Sequence, residues 1–285
     1  VKFGLMFANV GFFGLPDHLV NLAQAAEASG IESLWTVEHV VVPVGYESRY
    51  PYSQDGRMPG PEESPIPDPL VWLGYAAAVT TKIRLATGIL ILPQRHPFYV
   101  AKAAATLDQL SGGRAILGVG IGWLEEEFRG LGIPFGTRAA RTEEAVRGLR
   151  SLWGPEPSAF HGDHFDWNPV HSNPKPVQEG GVPVVVGGHV PGAARRAARV
   201  GDGFFPVSGE KLPDLLAAMR DECQKIGRDP AEIEITTGTG PIDVDVVRRL
   251  EDMGVSRLVM GPPAFDPEGV RDGLARFADE VISKL

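Results

Sequence analysis

Short apolar, β-branched runs alternate along the chain with segments whose apolar residues recur every three or four positions. KFGLMF (2–7) predicts a strand, and Leu19, Leu22, Ala23 and Ala26 fall on one face of a helix that Asp17 caps and Gly30 ends. SLWTVEHV (33–40) predicts the second strand, and Asp68-Pro69 reads as the N-cap and first helical residue of PLVWLGYAAAV. IRLATGILIL (83–92) is the third strand, and the helix FYVAKAAATLDQL closes its unit at Ser111-Gly112-Gly113. AILGVGIG is the fourth, paired with a helix near RTEEAVRGLRSLW. VPVVVGG with PGAARRAARV, GFFPV with LPDLLAAMRDECQKIG, EIEITTG with DVVRRLEDMG, and RLVMG with EGVRDGLARFADEV bring the count to about eight βα units.

Strands of near-continuous apolar character are buried on both faces, as a closed parallel barrel requires. The pattern therefore predicts an α/β fold, a single (β/α)8 TIM barrel spanning residues 1–285 as one domain. A doubly wound open sheet is the competitor, but the first βα turn, residues 8–16, lacks GxGxxG. In a barrel, ligands collect where strands end. The residues there are Asn9, Glu38 with His39, Gln94 with Arg95 and His96, Gly120 to Trp123, Gly187 to His189, Val207 with Ser208, Thr236 with Thr237, and Gly261. Two stretches interrupt the rhythm as insertions. Residues 43–67, after strand 2, carry Tyr46, Tyr50, Tyr52 and Met58 without a period and read as a lid. Residues 154–181, between units 4 and 5, read as a short hairpin followed by an extended segment.

Composition narrows the partners. The 285 residues carry a formal charge of −9 from 36 acidic and 27 basic side chains, and the longest like-charge run is Glu125-Glu126-Glu127, which argues against nucleic acid. One cysteine, Cys223, excludes an intrachain disulfide and fits a passive place in a helix in a reducing cytoplasm. The apolar start VKFGLMFANVGFFG is too short and too glycine-broken for a membrane span and lacks a signal-peptide pattern, so a soluble cytoplasmic protein is expected. His161 and His164 have no HExxH or cysteine pair to complete a metal site, and no GxSxG elbow supports hydrolysis. At Gly187-Gly188 a strand meets an arginine-rich helix. That junction can hold an anion on helix N–H groups, or it can be a plain turn with Arg195, Arg196 and Arg199 on a solvated face.

TVEHVVVP (36–43), ATGILILPQRHP (86–97), LSGGRAILGVGIGW (110–123), SNPKPVQ (172–178) and VVVGGH…GDGFFPVSG (184–209) together resemble the bacterial luciferase-like flavin and deazaflavin oxidoreductases, over roughly the first three quarters of the chain. The remainder resembles them in βα rhythm alone. TVEHVVVP and LPQRHP are similar to the subgroup that uses the deazaflavin coenzyme F420. The resemblance implies a luciferase-like barrel, usually a homodimer, holding coenzyme F420, or alternatively FMN, across the strand C-terminal ends. Gly187 and Gly188 then give backbone N–H groups to the cofactor phosphate, beside His189, Val207 and Ser208, with Val207 standing where relatives often carry a hydroxyl. His39 becomes the catalytic acid or base beside a hydride transfer, and Glu38 turns to a salt bridge or the barrel bottom. Gly88-Ile89 becomes a bulge with a cis peptide against the ring, in a cofactor site that also includes Asn9, Gly120 and Gly122. Arg95 either reaches an anionic cofactor tail or forms a salt bridge. Trp123 replaces the carboxylate of the family's sugar-phosphate dehydrogenases and forms an apolar substrate wall with Tyr46 and Tyr50. The activity implied is hydride transfer between F420 and a small organic substrate; the alternatives are an FMN-dependent monooxygenase and a flavin-binding protein without turnover.

Overall fold

The computed structural model describes residues 1–238 and 240–285. In chain order its elements are β1 (Lys2–Met6), α1 (Pro16–Ala28), β2 (Ser33–Thr36), α2 (Pro69–Val79), β3 (Arg84–Thr87), β4 (Leu90–Ile91), α3 (Pro97–Ser111), β5 (Ala115–Gly120), α4 (Glu125–Gly130), α5 (Arg138–Trp153), β6 (Ser158–His161), β7 (Asp166–Val170), β8 (Val184–Gly187), α6 (Pro191–Val200), β9 (Gly203–Phe205), α7 (Leu212–Ile226), β10 (Glu234–Gly238), α8 (Val244–Asp252), β11 (Arg257–Met260) and α9 (Pro267–Glu280). The parallel strands run in the order β3-β2-β1-β11-β10-β9-β8-β5, and β5 returns to β3, so eight strands close a barrel. β6 and β7 form a separate antiparallel hairpin between α5 and β8. No helix long and apolar enough to cross a membrane occurs among the described residues.

The barrel interior decides where a ligand can sit. Trp35 fills it, packed with Ala86, Ile116, Val185 and Val259. Its indole Nε1 donates to Ser33 Oγ at 2.9 Å, so the one polar atom of the ring is satisfied in the core. Below it, at the strand N-terminal ends, the fully buried Arg257 lies 5.5 Å from the Trp35 ring and is paired with Glu32 at 2.8 Å and with Glu234. This charged plug closes the bottom of the barrel. Above Trp35 stands Phe205, ring centroids 5.3 Å apart, and beyond it the barrel ends in glycines.

Several element boundaries differ from the sequence pattern, each for a visible reason. α1 begins at Pro16 with Leu15 in the cap position and no side-chain cap, so Asp17 sits inside the first turn, where its charge meets the positive end of the helix. Asp68 does cap α2, accepting from Leu70 N at 2.9 Å and Val71 N at 3.0 Å, an arrangement worth about 1 kcal/mol. β2 stops at Thr36 because the Asn9 side chain takes over both backbone groups of Val37. The third strand is split into β3 and β4 around Gly88-Ile89, whose peptide is cis. α4 is a helix the periodicity did not mark; six residues are too few to show a repeat. Cys223 is buried in α7, as a passive core residue would be.

Candidate active site

The mouth at the strand C-terminal ends has a floor made by absent side chains. A Cβ on Gly120 would come within 2.6 Å of Ile89 Cδ1, and one on Gly187 within 2.8 Å of Ile89 Cγ2. Ile89 therefore lies flat across the barrel between two bare backbones, with Gly88 on top of Trp35, where a Cβ would be 3.0 Å from the indole. Gly122, at φ 75°, occupies a left-handed conformation and turns the chain out of the mouth toward Trp123. The result is a shallow shelf with an apolar base of Ile89 and Trp35.

His39 stands at the edge of that shelf, three residues beyond β2. Its Nδ1 lies 3.1 Å from Glu127 Oε2, and the imidazole is 8% exposed while Glu127 is fully enclosed. Glu127 Oε1 also accepts from Val40 N at 2.6 Å and Val41 N at 3.2 Å. Burial drives the Glu127 carboxyl up, but the His39 hydrogen bond and charge, the neighbouring Gln94 amide and the Val41 backbone amide outweigh it and leave it below the usual carboxylate range. Glu127 is thus an anion in the interior, held by three donors. The sequence reading counted it only as part of an acidic run. The signal lies in its place, in the first turn of a helix that follows the GVGIGW strand end.

The long segment between β2 and α2 folds over this edge as a roof. Trp123 is the hub, with ring-centroid distances of 5.6 Å to His39, 5.4 Å to Tyr46 and 5.2 Å to Tyr50. Tyr52 reaches across to His189, centroids 4.6 Å apart, so the roof spans from the β2 side of the mouth to the β8 side. Glu126 fastens it: Oε1 accepts from Glu47 N at 2.7 Å and Ser48 N at 3.0 Å, and Ser48 Oγ accepts from Glu125 N at 3.1 Å. Tyr46 is 3% exposed, and its hydroxyl accepts from Met58 N at 2.9 Å. It therefore braces Trp123 from behind and is not itself a pocket wall, which corrects its expected role; Tyr50 and Trp123 keep theirs as candidates. Tyr50 has its phenol pushed up to about 12 by burial and by its tyrosine neighbours.

Two further residues expected to touch a cofactor are engaged elsewhere. Asn9 is fully buried, donates through Nδ2 to Val37 O and Pro67 O at 2.9 Å each, and accepts from Val37 N at 2.9 Å. With both amide hydrogens used, it staples together the two ends of the roof segment and has no donor left for a ligand. Arg95 pairs with Glu38 and, at 3.0 Å, with Asp68, so its charge is neutralised and the salt-bridge alternative is the one found. Glu38 in turn accepts from Ile91 N at 2.6 Å, tying the end of β2 to β4.

The glycine pair also divides its roles. Gly188 N–H donates to Phe205 O at 3.1 Å, extending the β8–β9 ladder, so it is not a free donor to an anion. What Gly188 supplies is shape: at φ 142° it adopts a backbone that side chains disfavour, and a Cβ would lie 2.6 Å from Ala193 Cβ. The chain can thereby pass straight into α6, whose N-terminus carries Pro191 and no side-chain cap. Beside it His189 Nδ1 is buried without a hydrogen-bond partner among the described residues, and burial and then Lys211 hold that imidazole below its usual range. Val207 and Ser208 follow β9 on the same rim, Val207 bridging to Gly238. His161 pairs with Asp166 on the hairpin, and among the described residues no group of His, Cys, Asp and Glu is arranged to hold a metal ion.

The sequence profile of the luciferase-like monooxygenase family matches residues 14–245, most of the barrel including the mouth residues from Glu38 to Thr237. This chain belongs to the luciferase-like monooxygenase family. It is an enzyme of that family. A luciferase-like relative, an uncharacterized protein of Mycobacterium tuberculosis, is 34% identical over 277 residues, covering 93% of this chain and 95% of its own. An F420-dependent glucose-6-phosphate dehydrogenase of Nakamurella multipartita is 33% identical over 295 residues, covering 99% of this chain and 80% of the dehydrogenase. Among solved structures, monooxygenase RslO1 from Streptomyces bottropensis superposes with a TM-score of 0.79 at 23% identity, over 100% of this luciferase-like chain and 99% of its own, a likeness of fold.

Proposed function

We propose that this enzyme is an F420-dependent oxidoreductase that moves a hydride between the deazaflavin and a small organic substrate. The observation that carries the reading is the juxtaposition of the bare shelf at Ile89, Gly120 and Gly187 with the buried His39–Glu127 pair at its edge. Side chains at Gly120 and Gly187 would fill the space a flat ring system needs, so the residues present fit a tricyclic cofactor. The uncapped N-terminus of α6 and the unpartnered Nδ1 of His189 fit its phosphate, with Ser208 on the same rim. The relatives named as F420-dependent support the deazaflavin over FMN.

When bound, the deazaflavin supplies a carbon that accepts or gives up a hydride. The chain supplies the rest. Gly88 and Ile89 would form the floor beneath the ring, over Trp35. His39 faces the reacting substrate through Nε2, which has no hydrogen bond within the protein among the described residues, and takes up or returns the proton that accompanies the hydride. Trp123, Tyr50 and Tyr52 exclude water above it. Arg95, already paired with two carboxylates, plays no part in holding the cofactor tail.

The test follows the absorbance of oxidised and reduced F420 with the purified enzyme against a panel of alcohols, ketones and aldehydes, under argon and in air. The proposal expects turnover of F420 with at least one member at the same rate in both atmospheres. Turnover that requires both reduced FMN and oxygen would overturn it in favour of the monooxygenase reading.

A further inference from the structure

We propose that Glu127 is the positioning residue of His39, holding the imidazole proton on Nδ1 so that Nε2 is left bare as the proton-accepting nitrogen. The proposal rests on the reading above only for what His39 does with the proton; the assignment of the proton itself follows from the geometry.

An ionised carboxylate accepts hydrogen bonds and donates none. Both Glu127 oxygens are in use, Oε1 by the amides of Val40 and Val41 and Oε2 by His39 Nδ1, at 2.6, 3.2 and 3.1 Å. All three of its neighbours are therefore donors, and Nδ1 must carry the hydrogen. A neutral imidazole has one N–H, so Nε2 is the acceptor. The opposite tautomer would need a protonated Glu127 donating through Oε2 to a bare Nδ1, and the two backbone N–H groups directed at Oε1 oppose it by holding the carboxyl in its ionised form. The ring is fixed in the remaining direction by Trp123, whose plane meets the imidazole at 85°. Around the pair, the roof contributes the neutral phenols of Tyr46 and Tyr50 through Trp123, and no lysine or arginine hydrogen-bonds to either member among the described residues. The charge partner of an imidazolium formed at His39 is thus Glu127. When Nε2 takes a hydrogen from the substrate as a proton, the substrate keeps the bonding electron pair and the new positive charge is matched across 3.1 Å; in the reverse direction the N–H bond at Nε2 breaks and the proton returns.

The position also explains the acidic triplet. On one short helix, Glu126 holds the roof by the amides of Glu47 and Ser48, and the next residue, Glu127, holds the imidazole. The roof and the proton-accepting nitrogen are set by adjacent residues of one rigid turn.

The experiment is a long-range ¹H–¹⁵N spectrum of the cofactor-free protein labelled in its 7 histidines, recorded above the ordinary imidazole range, with His39 assigned by its absence in His39→Asn. The parent is expected to show His39 protonated on Nδ1 and bare at Nε2. In Glu127→Gln the amide oxygen stays with Val40 and Val41 and the NH2 group faces Nδ1, so the pattern should invert, with the proton on Nε2. A parent His39 protonated on Nε2 overturns the proposal, as does a folded Glu127→Gln protein with the parent pattern. Should the variant fail to fold, the parent spectrum decides alone. Neither spectrum involves a coenzyme, so failure here leaves the F420 reading standing, and failure of that reading leaves this one.

Discussion

Glu127 Oε2 lies 3.1 Å from His39 Nδ1, joining a short helix after the β5 strand to the loop after β2 across the edge of the barrel mouth. Neither residue has a sequence neighbour in common with the other, and the pair exists only because β2 and β5 flank β3 in the closed sheet. In the proposed reaction the pair gives the imidazole a counter-ion other than solvent. His39→Asn removes the proton transfer while keeping a similar volume. Turnover is expected to fall by about 10²–10⁴-fold, with the dissociation constant of the coenzyme changed by less than about threefold, or ~0.7 kcal/mol. Stopped-flow reduction of F420 beside a binding titration checks both numbers; loss of coenzyme binding instead of rate would make His39 a binding residue.

Glu126 is the fastening of the roof. Glu126→Ala frees the amides of Glu47 and Ser48, each held by a charge-assisted hydrogen bond. After allowance for partial exposure, the loss should be about 1–2 kcal/mol, a roughly tenfold or larger rise in amide exchange confined to the roof. Hydrogen exchange read by mass spectrometry on peptides covering residues 43–67 tests it, and the β-strand peptides serve as the unchanged control.

The shelf is sensitive to a single methyl group. Gly187→Ala places a Cβ 2.8 Å from Ile89 Cγ2 and must push that side chain toward the mouth. Overpacking of this kind costs about 1–3 kcal/mol. Coenzyme affinity should drop by about tenfold or more, equivalent to ~1.4 kcal/mol, while circular dichroism stays that of the parent. Unchanged affinity would mean that the shelf is not the ring site.

Tyr50 gives the pH dependence. Its phenol is raised from 10.0 to about 12 by burial first and by Tyr52 and Tyr46 after it. The folded state therefore favours the neutral phenol. Its contribution to stability is fully present below pH 10 and is lost as pH rises toward about 12. An ultraviolet difference titration of the parent against Tyr50→Phe should show the missing phenol ionising near the upper value; ionisation near 10 would place Tyr50 in open solvent.

Much of this was legible in the chain. The continuous apolar runs and the period-3.6 stretches between them predict the barrel because burial on both faces imposes continuous apolar strands, and the Asp68-Pro69 start of α2 reads directly from cap chemistry. His39, Gly187 and Trp123 fall at the mouth because strand ends do. What the sequence could not show is which partner each side chain takes. Asn9, an apt ligand residue on the rim, is consumed by Val37 and Pro67, and Arg95, an apt anion receptor, by Glu38 and Asp68. Those partners lie 27 to 58 residues away. Gly188 looks like a phosphate donor by type, but its N–H continues a ladder to a strand that comes later in the chain. Glu127 is hidden for the same reason: a carboxylate in the first turn of a helix is ordinarily a solvated residue, and only closure of the barrel brings the imidazole to it.

The central claim is that this shelf is built for a deazaflavin. The most direct test is to titrate the apo-protein with F420 and with FMN and follow quenching of intrinsic fluorescence, for which Trp123 and Trp35 lie beside and beneath the shelf. Saturable quenching by both is expected, with F420 bound more tightly by about tenfold, ~1.4 kcal/mol, and with the preference diminished in Gly187→Ala. Tighter binding of FMN than of F420 would contradict it.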